Sequence, residues 1–183
     1  KHYNDIALKY NTENINALSQ QALLYRIVGE KENALKTISA IEKIDPINHF
    51  AVYEKYLLGE ADKNAVTDSH RSEFPYQTLM ELAMFYHNRN QNTEAIKILK
   101  SGPKCLLNSL WLAYLNHNQM ALGALDNESI AFVFPFRKES LNMLEWVVAN
   151  HPSWKAKYLM GLNLMGRAQM EKGIQIFKDL GQT

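Results

Sequence analysis

The sequence is poor in everything that breaks or staples a chain. Its 183 residues hold 8 glycines, 5 prolines and one cysteine. A lone thiol, Cys105, excludes any disulfide within the chain. Its neighbours in "CLLNSLWLAYL" are apolar, so it reads as a small packed side chain rather than a reactive thiol. No apolar run approaches the roughly 18–20 residues that a membrane span needs. No dense block of Lys or Arg occurs, and the net charge is only +1, which argues against a nucleic-acid surface. The first residue is Lys1 and no signal-peptide core follows it. The chain is therefore expected to be an excerpt, with any targeting signal outside it.

What is present is ample apolar surface: 46% hydrophobic residues against 21% charged, as in ordinary globular domains. All five prolines sit where a helix could begin, in "IDPIN", "SEFPYQ", "SGPKC", "FPFRKES" and "NHPSW". Proline suits a first helical turn because its missing N–H would be unpaired there anyway. Asp45, before Pro46, is placed to accept a backbone N–H. Between the prolines, apolar residues recur at steps of three and four, as in Ile15, Leu18, Ala22 and Tyr25 or Leu79, Leu82, Ala83 and Tyr86. This periodicity predicts helices over 3–10, 14–28, 31–43, 47–58, 75–89, 92–101, 104–117, 119–126, 137–150, 153–166 and 169–180. Residues 60–73 are polar and carry no clear period.

The chain echoes itself. "ALLYRIVGEKENALKTISAI" aligns with "AMFYHNRNQNTEAIKILKSG" at an offset of 61, matching Ala22 to Ala83, Tyr25 to Tyr86, Gly29 to Asn90 and Ala34 to Ala95. Gly161, Leu164, Ala168, Gly173 and Phe177 keep the same internal spacing. Each residue type has a physical purpose. A small residue lets the facing helix approach closely. Gly29 or Asn90 tolerates a left-handed turn. Hairpins of this kind cannot bury their apolar faces alone, so they stack.

Leu18, Ala22, Tyr25, Gly29, Ala34, Ile38, Ile41 and Pro46 follow a pattern that resembles the tetratricopeptide repeat, with its period of about 34 residues. The resemblance is clearest over 15–48, 76–103 and 154–183. It implies an all-α fold, an α-α superhelix of antiparallel hairpins in a single repeat domain. Gly102 stands where that family usually has a larger residue. Because 61 is not twice 34, residues 47–73 are expected to be irregular or shortened, and 104–150 also depart from the pattern. "IDPINHFAVYEKYLLG", "VFPFRKESLNMLEW" and "WKAKYLMGL" further resemble the helical repeat region of large bacterial proteins that also carry a β-rich, carbohydrate-active-like domain.

Motifs for chemistry are missing. The histidines, His2, His49, His70, His87, His117 and His151, show no zinc-protease spacing, and no phosphate loop, dinucleotide fingerprint or nucleophile elbow occurs. Ser69–His70 has no third partner that sequence can name. No enzyme activity, cofactor or metal is expected. "FVFPFR" is the most unusual stretch. Its phenylalanines are expected to plug a gap between irregular hairpins; an exposed ledge of Phe134, Phe136 and Arg137 is the alternative. Trp111, Trp146 and Trp154 are expected to pack, whereas Tyr53 and Tyr56 could equally pack or recognise.

In tetratricopeptide proteins the first helix of each pair lines the concave face. Carried over, the pattern gives Asn16, Ser19, Leu23 and Arg26, then Gln77, Met80, Met84, His87 and Asn88, then Lys155, Tyr158 and Leu162. Asn and Gln suit a peptide backbone, Arg26 a carboxylate, and the methionines a variable apolar side chain. The expected function is a non-enzymatic scaffold that binds a peptide, a protein or its own flanking domain. The alternative is an accessory region of a carbohydrate-processing protein.

Overall fold

A computed structural model describes residues 2–69 and 75–181. The described residues are helical throughout, with no strand. Twelve α-helices occur among them, and each packs chiefly on its neighbours in sequence. The chain divides into two compact units, Lys1–Phe74 and Pro75–Thr183.

The first unit holds α1 (His2–Tyr10), α2 (Ile15–Ile27), α3 (Lys31–Ile44), α4 (His49–Leu57) and α5 (Lys63–Ser69). Asn14 opens α2, its side chain accepting the Ala17 N–H at 3.1 Å. Asp45 accepts the Ile47 N–H at 3.3 Å as expected, and also the Asn48 side chain at 3.0 Å. Asn48 in turn caps α4 through the Ala51 N–H. Ala22 and Ala34 are completely buried where α2 meets α3. α5 forms within the polar stretch that carries no sequence period. The Ser69 side chain and His70 lie outside the described residues.

The second unit holds α6 (Pro75–His87), α7 (Asn92–Ser101), α8 (Leu106–Leu115), a 3₁₀ turn (Gln119–Ala121), α9 (Leu122–Leu125), α10 (Glu139–Asn150), α11 (Trp154–Gly166) and α12 (Met170–Leu180). Ala83 and Ala95 are completely buried at the α6–α7 seam. At the α11–α12 seam, contact is closer still. A Cβ on Gly173 would stand 2.9 Å from the Gly161 carbonyl oxygen and 2.5 Å from Met165 Cγ. Gly102 has the same cause: a Cβ there would meet Leu79 Cδ1 at 2.6 Å.

One turn closes hairpin after hairpin. α2, α4, α6, α8 and α11 are each followed by a residue with positive φ: Gly29 (81°), Gly59 (77°), Asn90 (59°), His117 (51°) and Ala168 (59°). At each, the next N–H reaches back to the carbonyl five residues earlier, as from Glu30 to Tyr25 and from Gln169 to Leu164. The positive-φ residue itself donates three residues back, as from Gly29 to Arg26. That pair of bonds is the Schellman motif, which satisfies carbonyls otherwise orphaned at a helix end. α3, α7 and α10 end differently, on Asp45, Gly102 and His151, each extended and each before a proline. Proline forces that conformation on its predecessor.

The expectation for 47–73 allowed a shortened hairpin, and the turns show one: Gly59 follows Gly29 by 30 residues and precedes Asn90 by 31, so the offset of 61 spans two short hairpins. The turns also explain 104–150. His117 follows Asn90 by 27 residues, but Ala168 lies 51 further on. The excess is the stretch 119–138, inserted between α8 and α10, which pack together.

Candidate functional site

The inserted stretch ends in a strap, residues 126–138, that carries no helix. Phe132 lies in a turn with φ of 57° and is 70% exposed; along the extended part that follows the side chains alternate, Val133 and Pro135 buried, Phe134 and Phe136 exposed by 49% and 57%. The expectation that the phenylalanines plug a gap is therefore wrong. Val133 and Pro135 do the filling, and the rings form the ledge.

Side chains from two helices hold the strap by its main chain. The Tyr76 hydroxyl (α6) donates to the Phe132 carbonyl. The Asn163 amide (α11) donates to the carbonyls of Pro135 and, at 2.8 Å, Arg137. The Lys155 ammonium (α11) donates to the carbonyls of Asp126 and Glu128. Burial pushes the Tyr76 phenol above its ordinary pKa, so it remains a donor. At the far end Arg137 pairs with Glu81 at 2.5 Å and Asn88 donates to Glu139 at 2.7 Å. Burial alone would raise the Glu139 carboxyl, but the Asn88 bond and the nearby Arg137 and Lys138 charges outweigh it and hold the carboxyl below its usual range.

A shallow cleft runs beneath the ledge between α6, α8 and α10, lined by Gln77, Met80, Leu107, Phe134, Phe136 and Ser140. Ser140 is completely buried, yet its hydroxyl has no hydrogen-bond partner among the described residues. The Asn163 Oδ1 atom, in a side chain 99% buried, also lacks one. Buried polar atoms without partners are costly, about 1–3 kcal/mol each; two lie beside the strap, and the same unit holds others on Asn108 and Trp111.

The structure redistributes the residues expected on a concave face. Ser19 and Leu23 are buried, because α2 is covered by α1, α3 and α4. Met80 and Met84 are buried on α6, the former beneath the strap. These four present almost no surface to a ligand. Arg26 pairs at 2.7 Å with Glu54, a carboxylate wholly inside the first unit, so its charge is already engaged. His87 meets Asn92 at 2.8 Å and packs edge-on to Trp111. Lys155 holds the strap, Asn88 bonds Glu139 at the start of α10, and the Tyr158 ring lies 5.7 Å from Phe177. Asn16 and Leu162 are exposed. Gln77, half-buried, donates to the Tyr76 hydroxyl at 3.3 Å. Trp111 is buried as expected, Trp146 is half-buried, and Trp154 is largely exposed. Tyr53 is buried and Tyr56 exposed.

Two of the strap's three clasping side chains, Tyr76 and Asn163, escape a carried-over pattern. Each lies next in sequence to a residue that the pattern selects. The signal is Asn163 itself, an amide in the apolar run "YLMGLNLMG". Asp126, His151 and Ser153 also converge, with His151 2.6 Å from Asp126. They do not form a catalytic relay, because Ser153 bonds Asp126 and caps α11 at the Lys155 N–H. No cluster of three metal-ligating side chains occurs among the described residues. Burial pushes the Cys105 thiol up, away from reactive values. No helix among the described residues is long and apolar enough to cross a membrane.

No protein-family model matches the chain, and no curated protein matches it.

Proposed function

We propose that the chain is a tetratricopeptide-like interaction module that binds an extended peptide without bond chemistry. The observation that carries this reading is the clasp on residues 126–138. Tyr76, Asn163 and Lys155, all on first helices of hairpins, take up main-chain carbonyls rather than side chains. That is how a groove reads an extended backbone, with affinity from main-chain bonds and specificity from pockets for alternate side chains. The repeated turn and the small-residue seams support the hairpin-repeat reading.

Panning a display library of short random peptides on the chain tests the proposal. Saturable binders are expected, and they should compete with one another for one surface. A chain that enriches no binder over an unrelated helical protein contradicts it.

A further inference from the structure

The clasped strap is the chain's own sequence, and it fits its seat incompletely. Phe132 and Phe136 are more than half exposed and Phe134 about half, so the strap leaves apolar area unburied where a tighter occupant would bury it. The Asn163 amide donates twice, but its oxygen receives nothing, and Pro135, the residue it holds, has no N–H to return. The Ser140 hydroxyl, also completely buried beside the cleft, has no partner among the described residues. The strap has no ladder of backbone bonds to a neighbouring strand. Side-chain donors hold its main chain, Asp126 pairs with His151 at 2.6 Å, the Glu128 carboxylate accepts from Ser109 at 3.0 Å, Arg137 pairs with Glu81, and Val133 and Pro135 are buried. It is also an insertion into an otherwise regular repeat, and long non-helical insertions in compact domains are commonly functional.

We propose that residues 126–138 are a built-in ligand. The face formed by α6, α8, α10 and α11 is a receptor for an extended peptide, and the strap keeps it closed until a partner with the same pattern displaces it. That pattern is an apolar residue at the Val133 position, a second small apolar residue two places on, and a basic residue two places after that. The first two fill the buried seats, and the third meets Glu81. The inference rests on the peptide-binding reading above and adds both the class of peptide and the regulation.

The probe is a synthetic peptide with the sequence of residues 126–138. In an opened chain, residues 127–136 are replaced by a Gly/Ser segment of equal length, and binding is followed by calorimetry. The peptide should bind the opened chain saturably, and the intact chain at least about tenfold more weakly. Adding Asn163→Ala to the opened chain should cost about tenfold in affinity. An opened chain that keeps its helical circular dichroism but binds nothing overturns the proposal, as does equal binding to both chains. Should the opened chain not fold, amide exchange on the intact chain decides. Strap amides that exchange well before those of α6 and α11 support a displaceable segment; exchange only with global unfolding overturns it. Library peptides that bind intact and opened chains equally would leave the binding-module reading standing and remove this one.

Discussion

At the scale of single residues, chemistry that looks available for recognition is often engaged already. Arg26 is the clearest instance. Its guanidinium lies 2.7 Å from Glu54, whose side chain is fully buried. A buried carboxylate deprived of its cation is strongly unfavourable. Arg26→Ala should therefore lower unfolding stability by about 3 kcal/mol in urea titration, far more than loss of a surface charge. Ala168 makes the opposite case. It holds φ of 59°, a conformation that costs an L-residue with a Cβ about 1 kcal/mol. Ala168→Gly should raise stability by about 0.5–1 kcal/mol, allowing for the extra freedom glycine gains when unfolded. The same denaturant titration checks it. Sequence could point to Gly29 and Asn90 as turn residues because both types favour that conformation. It pointed to Ala168 only through the spacing it shares with them, and it missed His117.

At the scale of elements, the seams and the strap obey different physics. Glycine inside a helix normally costs about 1 kcal/mol relative to alanine. Gly173→Ala should nevertheless destabilise by about 1–3 kcal/mol, because its Cβ would meet the Gly161 carbonyl oxygen, which cannot rotate away. Thermal unfolding reads the sign directly. Gly161→Ala should be milder, since its new Cβ meets only the Phe177 ring, 2.7 Å away at the end of a movable side chain. The junction of α9 with α11 depends on charge instead. Asp126 is held below its ordinary carboxyl range by the bond from Ser153 and then by His151. A depressed folded pKa gives stability that is present above the unfolded carboxyl value and is lost as pH falls through the folded one. Wild-type stability should thus fall below about pH 4, and Asp126→Asn should flatten that part of the profile. An unchanged acid limb in the variant would count against this assignment. The ladder of helices was readable from apolar periods and prolines. The strap was not, since "FVFPFR" carries no signal of which alternate set faces inward. Proline at 135 made the segment extended, and only packing decided that Val133 and Pro135, not the rings, would be covered.

At the scale of the whole chain, the repeat is punctuated by two alternating endings. First helices close on a left-handed turn, whereas α3, α7 and α10 close on a residue before proline and α12 ends on Gly181 in a right-handed conformation. Side-chain matching found three of the hairpins, because there small residues mark both helices. The hairpin over 47–73 follows only from the offset of 61, and the one closed at His117 has no match, because the repeated feature at Gly59 and His117 is a backbone conformation, which glycine announces weakly and histidine not at all. The groove residues that the tetratricopeptide pattern implies presuppose an open first-helix face. In the second unit the strap covers part of that face, which is why Met80 is buried and Lys155 engaged.

The central claim is that five hairpins share one turn and that 119–138 is an insertion rather than a broken repeat. Backbone φ from nuclear magnetic resonance couplings and carbon shifts at Gly29, Gly59, Asn90, His117 and Ala168 tests it most directly. The account predicts positive φ at all five. Right-handed values at His117 or Ala168 would contradict it.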